Sequence, residues 1–354
     1  MAVEFGRPSG HQPTASAPAR AAARKTAVAG ALFTVFLGAI LAGATAVASL
    51  PLWVQVLPFA ISLVVLGLPH GAVDHLVLPR ARGEAVTVGA MLWIGLLYLL
   101  VGGAYAVVWL VAPVAAFAGF ILLTAVHWGQ GDVYALRSIY EASHLEHQSV
   151  RIGTLAVRGA LPMFVPLVAF PEQYALVATS IVSLFDPASA TALEPVFSTS
   201  GRLVVGALLT LLIVGTLGLG FVRAEDQGAW WVDALETLGL VGLFGLVPPI
   251  LAIGIYFCFW HALRHILRTM LVDGDTSRAL EAGDRLRAWG RFARDATPMT
   301  VGGLLVIALV ALAVPQTPGG VEDALAVYLV GIAVMTLPHV VVVFLLDRIE
   351  GLWR

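Results

Sequence analysis

The chain has 354 residues, of which 59% are hydrophobic and only 12% charged, with a formal net charge of −2 and a mean hydropathy of +0.90. Soluble domains carry about 25% charged residues, so the composition excludes a soluble globule and points to a polytopic membrane protein. No basic cluster suggests nucleic acid, and the single cysteine, Cys258, excludes an internal disulfide and a cysteine-based zinc or iron–sulfur site.

Residues 1–25 are rich in Ala, Pro, Gly, Ser and Arg, which predicts a disordered cytoplasmic tail. Ten segments then follow that are long enough, or nearly so, to cross about 30 Å of hydrocarbon at about 1.5 Å per residue. They run over 26–49, 52–79, 86–111, 114–136, 152–170, 202–222, 229–247, 249–271, 299–315 and 323–346. The weakest are 152–170, interrupted by Pro162 and Pro166, and the short 299–315. The stretch 172–201 reads as an external loop with a short interfacial helix, and 273–298, with five arginines among acids and alanines, as a cytoplasmic loop with an amphipathic helix. The expected fold is an all-α membrane helical bundle of about ten spans (eight to ten), one domain over 26–347, a short cytoplasmic tail over 348–354, and both termini cytoplasmic. Arginine placement supports that count. With the N-terminus inside, Arg80, Arg82, Arg137, Arg151, Arg223, Arg264 through Arg294, Arg348 and Arg354 fall on the cytoplasmic side, as the positive-inside rule requires. Arg158 falls within a span and needs a partner or a route to the surface.

Ionisable groups inside the apolar spans are costly and mark function by default. They are His70, Asp74 and His75 in the second span, His127 and Asp132 in the fourth, His261 and His265 in the eighth, and His339 in the tenth. These four spans run in the same direction. Counting residues to the next arginine puts most of the histidines roughly 10–15 Å from one membrane face. Imidazoles at a common depth on parallel helices point to one shared metal. His261 and His265 are i,i+4 neighbours, a common ligand pair, whereas His75 lies i,i+5 from His70 and faces elsewhere on a regular helix. Asp74 and Asp132 are candidates to fix imidazole rings through their second nitrogen. His11, His144 and His147 lie in the tail and a loop and read as bystanders. Trp128, Tyr256, Phe257 and Trp260 are candidates to line an apolar substrate tunnel. An all-imidazole site suits iron, copper, zinc or nickel. Bis-histidine haem in an electron carrier, or a metal or proton transporter, are the competing readings.

The stretches GLPHGAVDH (67–75), HWGQGD (127–132), FWHALRH (259–265) and TLPH (336–339) together resemble the motifs of the Brp/Blh family, membrane-bound β-carotene 15,15′-dioxygenases of archaea and bacteria. The resemblance spans the second to the tenth segment. It implies cleavage of the central double bond of β-carotene by O₂ to give two molecules of retinal. It further implies non-haem iron(II) held by His70, His127, His261 and His265, with His339 near the site but not a primary ligand. The lipid bilayer of the cell membrane would deliver the substrate, and a microbial rhodopsin would receive the product.

Overall fold

A computed structural model describes residues 15–353. Ten helices are long and apolar enough to cross a membrane: Ala17–Val47, Leu52–Ala81, Val88–Val111, Pro113–Ile139, Gln148–Ala169, Thr199–Arg223, Gln227–Leu246, Pro249–Val272, Arg285–Ala313 and Val321–Glu350. Among the described residues there is no strand. The chain is therefore a multi-pass all-α membrane protein, as its composition requires. His11 and the first fourteen residues of the expected tail lie outside the described residues. From Ala17 onward that tail is helical. Ser16 caps the first span by accepting a hydrogen bond from the Ala19 amide, and a proline occupies its first turn, an arrangement that starts a helix.

The eighth span is the axis of the bundle. Of its most apolar window 89% is buried in protein, against 17% for the first and ninth spans and 11% for the sixth, which leaves the latter three to face lipid. The first span offers the axis a stripe of small residues, with Ala19, Ala23, Ala27, Ala31, Thr34 and Gly38 buried at the three- and four-residue intervals of one helical face. The fourth and fifth spans approach so closely that a Cβ on Gly129 would overlap the Leu155 carbonyl, and one on Gly159 the Ala125 carbonyl. Only glycine allows this approach at either point.

Two spans depart from regular helix where histidines sit. The second is broken into Leu52–Gln55, Leu57–Ser62, Gly67–Gly71 and Asp74–Ala81. Irregular backbone at membrane depth is tolerated only inside protein or along a cavity, and Gly67–His70 are buried. The eighth span contains a π-helical turn over Phe257–Ala262, a feature that often marks functional sites and that carries His261.

Two expected connections pack as structure. The 172–201 stretch holds the helix Pro171–Ser183, whose Ala178, Ile181 and Val182 are buried in one apolar cluster with Trp109, Phe117, Phe120 and Val327. The 273–298 stretch forms Gly274–Glu281 and then Arg285–Ala313, so its second helix continues unbroken into the ninth span.

Buried charge ties the axis to its neighbours. Arg264, 2% exposed, donates from Nη1 to Asp132 Oδ1 at 2.9 Å and from Nη2 to Glu236 Oε1 at 2.6 Å. Its guanidinium lies 4.2 Å from the centre of the Trp260 ring. Arg158 pairs with Asp233 at 2.8 Å, Glu236 at 3.1 Å and Asp132 at 3.4 Å, so it is paired rather than reaching the surface. Arg268 donates to Asp347 at 2.7 Å and pairs with Glu350. Arg264 and Arg268, counted from sequence as marks of a cytoplasmic end, thus lie inside the bundle. Their counter-charges come from the fourth, seventh and tenth spans.

Candidate metal centre

The broken second span, the fourth, the π turn of the eighth with the helix Leu263–Val272 that follows it, and the middle of the tenth bring His70, His127, His261, His265 and His339 to one place. All five are buried. Ligand nitrogens of His70, His127 and His261 lie within 4.8 Å of one another, and so do those of His127, His265 and His339. His127 belongs to both groups. Its ring centre stands 4.7 Å from His261, 4.8 Å from His265 and 4.7 Å from His339.

The unused nitrogens test whether this cluster suits a cation. His70 donates from Nδ1 to the Gly67 carbonyl, and His339 donates from Nδ1 to Asp74 Oδ2 at 2.7 Å. Each bond fixes the tautomer with a lone pair on Nε2, and both Nε2 atoms are buried without a partner. His127 Nδ1, His261 Nδ1 and His265 Nε2 are likewise unpartnered, and His127 Nε2 stands 3.1 Å from His261 Nε2. Buried polar atoms are nearly always satisfied. Two overlapping groups of buried imidazoles whose ligand nitrogens lie within 4.8 Å of one another, with orphaned nitrogens among them, therefore suit a bound transition metal, and all-nitrogen donors fit iron, copper, zinc or nickel.

The carboxylates divide. Asp74 accepts from His339 and from the Tyr98 hydroxyl at 2.6 Å, so it orients a ring as the sequence suggests. Asp132 does not: it accepts from Trp260 Nε1 at 3.0 Å and from Arg264 and Arg158, because the strongest donors within reach are guanidinium groups. It steadies the helix that carries His261 and His265 instead of touching a ring. His75 joins neither nitrogen group; the break between Gly71 and Asp74, not a regular i,i+5 offset, sets its direction. It lines the adjoining cavity, with Nδ1 unpartnered. His144 is buried on Asp233, at 3.1 Å, and serves the ionic network.

A cavity of about 850 Å³ opens beside the histidines, toward the large end of the usual range for ligand pockets. Its wall is almost wholly apolar. Trp128 and Phe257 line it, together with Phe117, Phe120, Ile250 and Tyr328. Tyr256 and Trp260, expected in the same role, do not. They sit one turn apart on the neighbouring face of the eighth span. Tyr256 packs on Trp128 and Phe244, and Trp260 turns to Asp132. Phe257 and His261 occupy the face toward the cavity. Tyr98 was not singled out from sequence; the signal was a phenol in a span with few other polar side chains.

The fold and the site define a multi-pass membrane protein with a buried all-histidine cluster at the wall of an apolar cavity. A profile of the beta-carotene 15,15'-dioxygenase family matches residues 61–347, and the chain belongs to that family. It is 41% identical over 344 residues to the probable beta-carotene 15,15'-dioxygenase Blh of Halobacterium salinarum, covering 97% of this chain and 99% of the relative. It is 32% identical to the probable beta-carotene 15,15'-dioxygenase Brp of the same species over 86% of this chain and 87% of the relative. A beta-carotene 15,15'-dioxygenase of an uncultured marine bacterium is 24% identical, over 82% of this chain and 93% of that protein. No solved structure matches.

Proposed function

We propose that this protein is a β-carotene 15,15′-dioxygenase of the cell membrane, with both termini cytoplasmic, that cleaves the central double bond of β-carotene with O₂ into two molecules of retinal. The observation that carries the reading is the convergence of buried, unpartnered imidazole nitrogens on the wall of an apolar cavity. In balance, one C=C bond breaks and the two oxygen atoms of O₂ become the two aldehyde oxygens. His70, His127, His261 and His265 would hold iron(II), which supplies the redox centre for oxygen activation. His339 stands beside them, its ring aimed by Asp74 and Tyr98. Trp128 and Phe257 hold the polyene against the cluster, and the apolar wall keeps water from the reacting bond. β-Carotene arrives from lipid, in which alone it dissolves, and retinal passes on to a microbial rhodopsin.

Expression in cells that accumulate β-carotene tests this directly. Loss of orange pigment with the appearance of retinal on chromatography is the expected result. Undiminished β-carotene alongside well-expressed, iron-loaded protein would sink the substrate while leaving the metal site standing.

Gly131 makes a narrower test. It follows His127 by one turn on the same face, and a Cβ there would fall 2.6 Å from His265 Nε2 and 3.5 Å from His261 Nδ1. Gly131→Ala is expected to displace the His265 ring and lower iron affinity by about 10–100-fold, the scale of changes in a ligand's surroundings. Metal analysis of the purified variant at wild-type iron content would remove the role given to this glycine.

A further inference from the structure

The cavity lining is unevenly exposed. Among the described residues that line it, five are exposed at the outer surface: Val88, Leu92, Gly95, Pro298 and Met299. The first three belong to the third span and the other two to the ninth. Val88 is 66%, Leu92 68% and Met299 48% exposed. Every other lining residue, including those of the arm beyond the histidines (Phe117, Phe120, Tyr174, Ile181, Leu325, Tyr328), is buried or half-buried. Among the described residues, the exposed part of the lining thus lies in one place, a mouth between two membrane helices.

Two glycines at the mouth add no side chain to fill it. A Cβ on Gly95 or on Gly302 would meet no atom within 4 Å, unlike the packing glycines at 129 and 159. Gly303, next along the ninth span, instead closes on Leu68, at 3.0 Å for a built Cβ. That contact seats the ninth span on the broken segment of the second, which forms the floor from Gly67 to His75. Val88 follows Arg82 by six residues and Pro298 follows Arg294 by four. The mouth therefore lies where hydrocarbon meets the arginine-bearing end of the bundle.

We infer that the gap between the third and ninth spans is a lateral doorway through which an apolar polyene passes from the lipid to the histidine cluster and its products return. The inference rests on the proposed substrate for its occupant. The walls are apolar on both sides of the gap, and both flanking helices are membrane spans, so the exposed residues face acyl chains. A linear polyene threading from this mouth passes His75 and Asp74, reaches the cluster, and continues into the closed arm. The closed arm follows the tenth span from His339 to Leu325, roughly 20 Å at helical rise. That depth accepts one half of a long symmetric polyene while its centre lies at the histidines.

A reversible plug tests the doorway. Met299→Cys and Leu92→Cys are purified in nanodiscs containing β-carotene and treated with a bulky benzyl methanethiosulfonate, which dithiothreitol later removes. The only native cysteine, Cys258, is 2% exposed, and treated wild type controls for it. Leu211→Cys, 70% exposed on the sixth span, controls for modification of a lipid-facing residue. The expected result is that turnover of each mouth variant falls at least about tenfold on modification, as when passage limits the rate, and returns with dithiothreitol, while Leu211→Cys is unmoved. Recovery excludes unfolding. Gly302→Leu fills the same gap without reagent and is expected to slow turnover with its iron content and melting temperature retained. Full turnover by the modified mouth variants overturns the doorway. If the wild type does not cleave β-carotene, the proposed reaction fails, and the doorway is read from β-carotene retained by the purified protein: retention lost on modification supports it, and retention unchanged or absent overturns it.

Discussion

His127→Ala is expected to abolish iron binding and β-carotene cleavage together, and to do so more completely than any other single histidine substitution. His127 is the one ring common to both groups of converging nitrogens, and three other histidine rings centre within 4.8 Å of it. Removing His70 or His261 leaves the group formed by His127, His265 and His339; removing His265 or His339 leaves the group formed by His70, His127 and His261. Removing His127 leaves neither. Activity should fall well beyond the roughly 10–100-fold typical of disturbing a ligand's hydrogen-bond partner; Asp74→Asn, acting through His339 beside the proposed ligands, should cost less than that. Metal analysis with a thermal melt on the same sample separates loss of the ion from loss of the fold. A folded His127→Ala protein carrying wild-type iron would break the proposed centre.

Arg264→Met is expected to cost the fold about 3–5 kcal/mol, the usual penalty for removing one partner of a buried ion pair. Arg264 lies between the two histidines of the eighth span. While His261 lines the cavity and His265 turns to His127 and His339, Arg264 spans Asp132 on the fourth span and Glu236 on the seventh and stacks on Trp260. Without it, Arg158 is the one arginine among the described residues left in contact with the three buried carboxylates Asp132, Asp233 and Glu236, with His144 sharing Asp233. Arg264→Lys should rescue little, because an ammonium cannot bridge two carboxylates with a planar fork or stack in the same way. The thermal midpoint in nanodiscs measures this, and a variant melting with the wild type would show that the network is dispensable. Because the same side chain holds the phase of the axial helix, iron content should fall with stability.

The spans were legible because hydrocarbon imposes one rule on any chain: about twenty apolar residues in helical form. The histidines were legible for the same reason, since a polar ring at that depth is expensive and stands out. What escaped the sequence depended on partners distant along the chain. Arg264 read as a surface marker because its counter-charges lie 132 and 28 residues away. Tyr256 and Trp260 were grouped with Phe257 by adjacency, yet helix phase turns them to a different neighbour. The helical start at Ala17 was hidden in composition that looks disordered, although alanine is the strongest helix former. Tyr98 gained meaning only when the broken second span placed Asp74 against it.

A doorway on one side of the histidines makes two identical products unequal. On the proposed reading, scission leaves one retinal on the doorway side of the histidines and its twin in the closed arm, behind them. The first can depart at once. The second must file past the cluster that made it, and no new polyene can be seated until it has gone. Symmetry in the substrate is thereby lost in the exit, and the pace of the enzyme is set by the twin that leaves last.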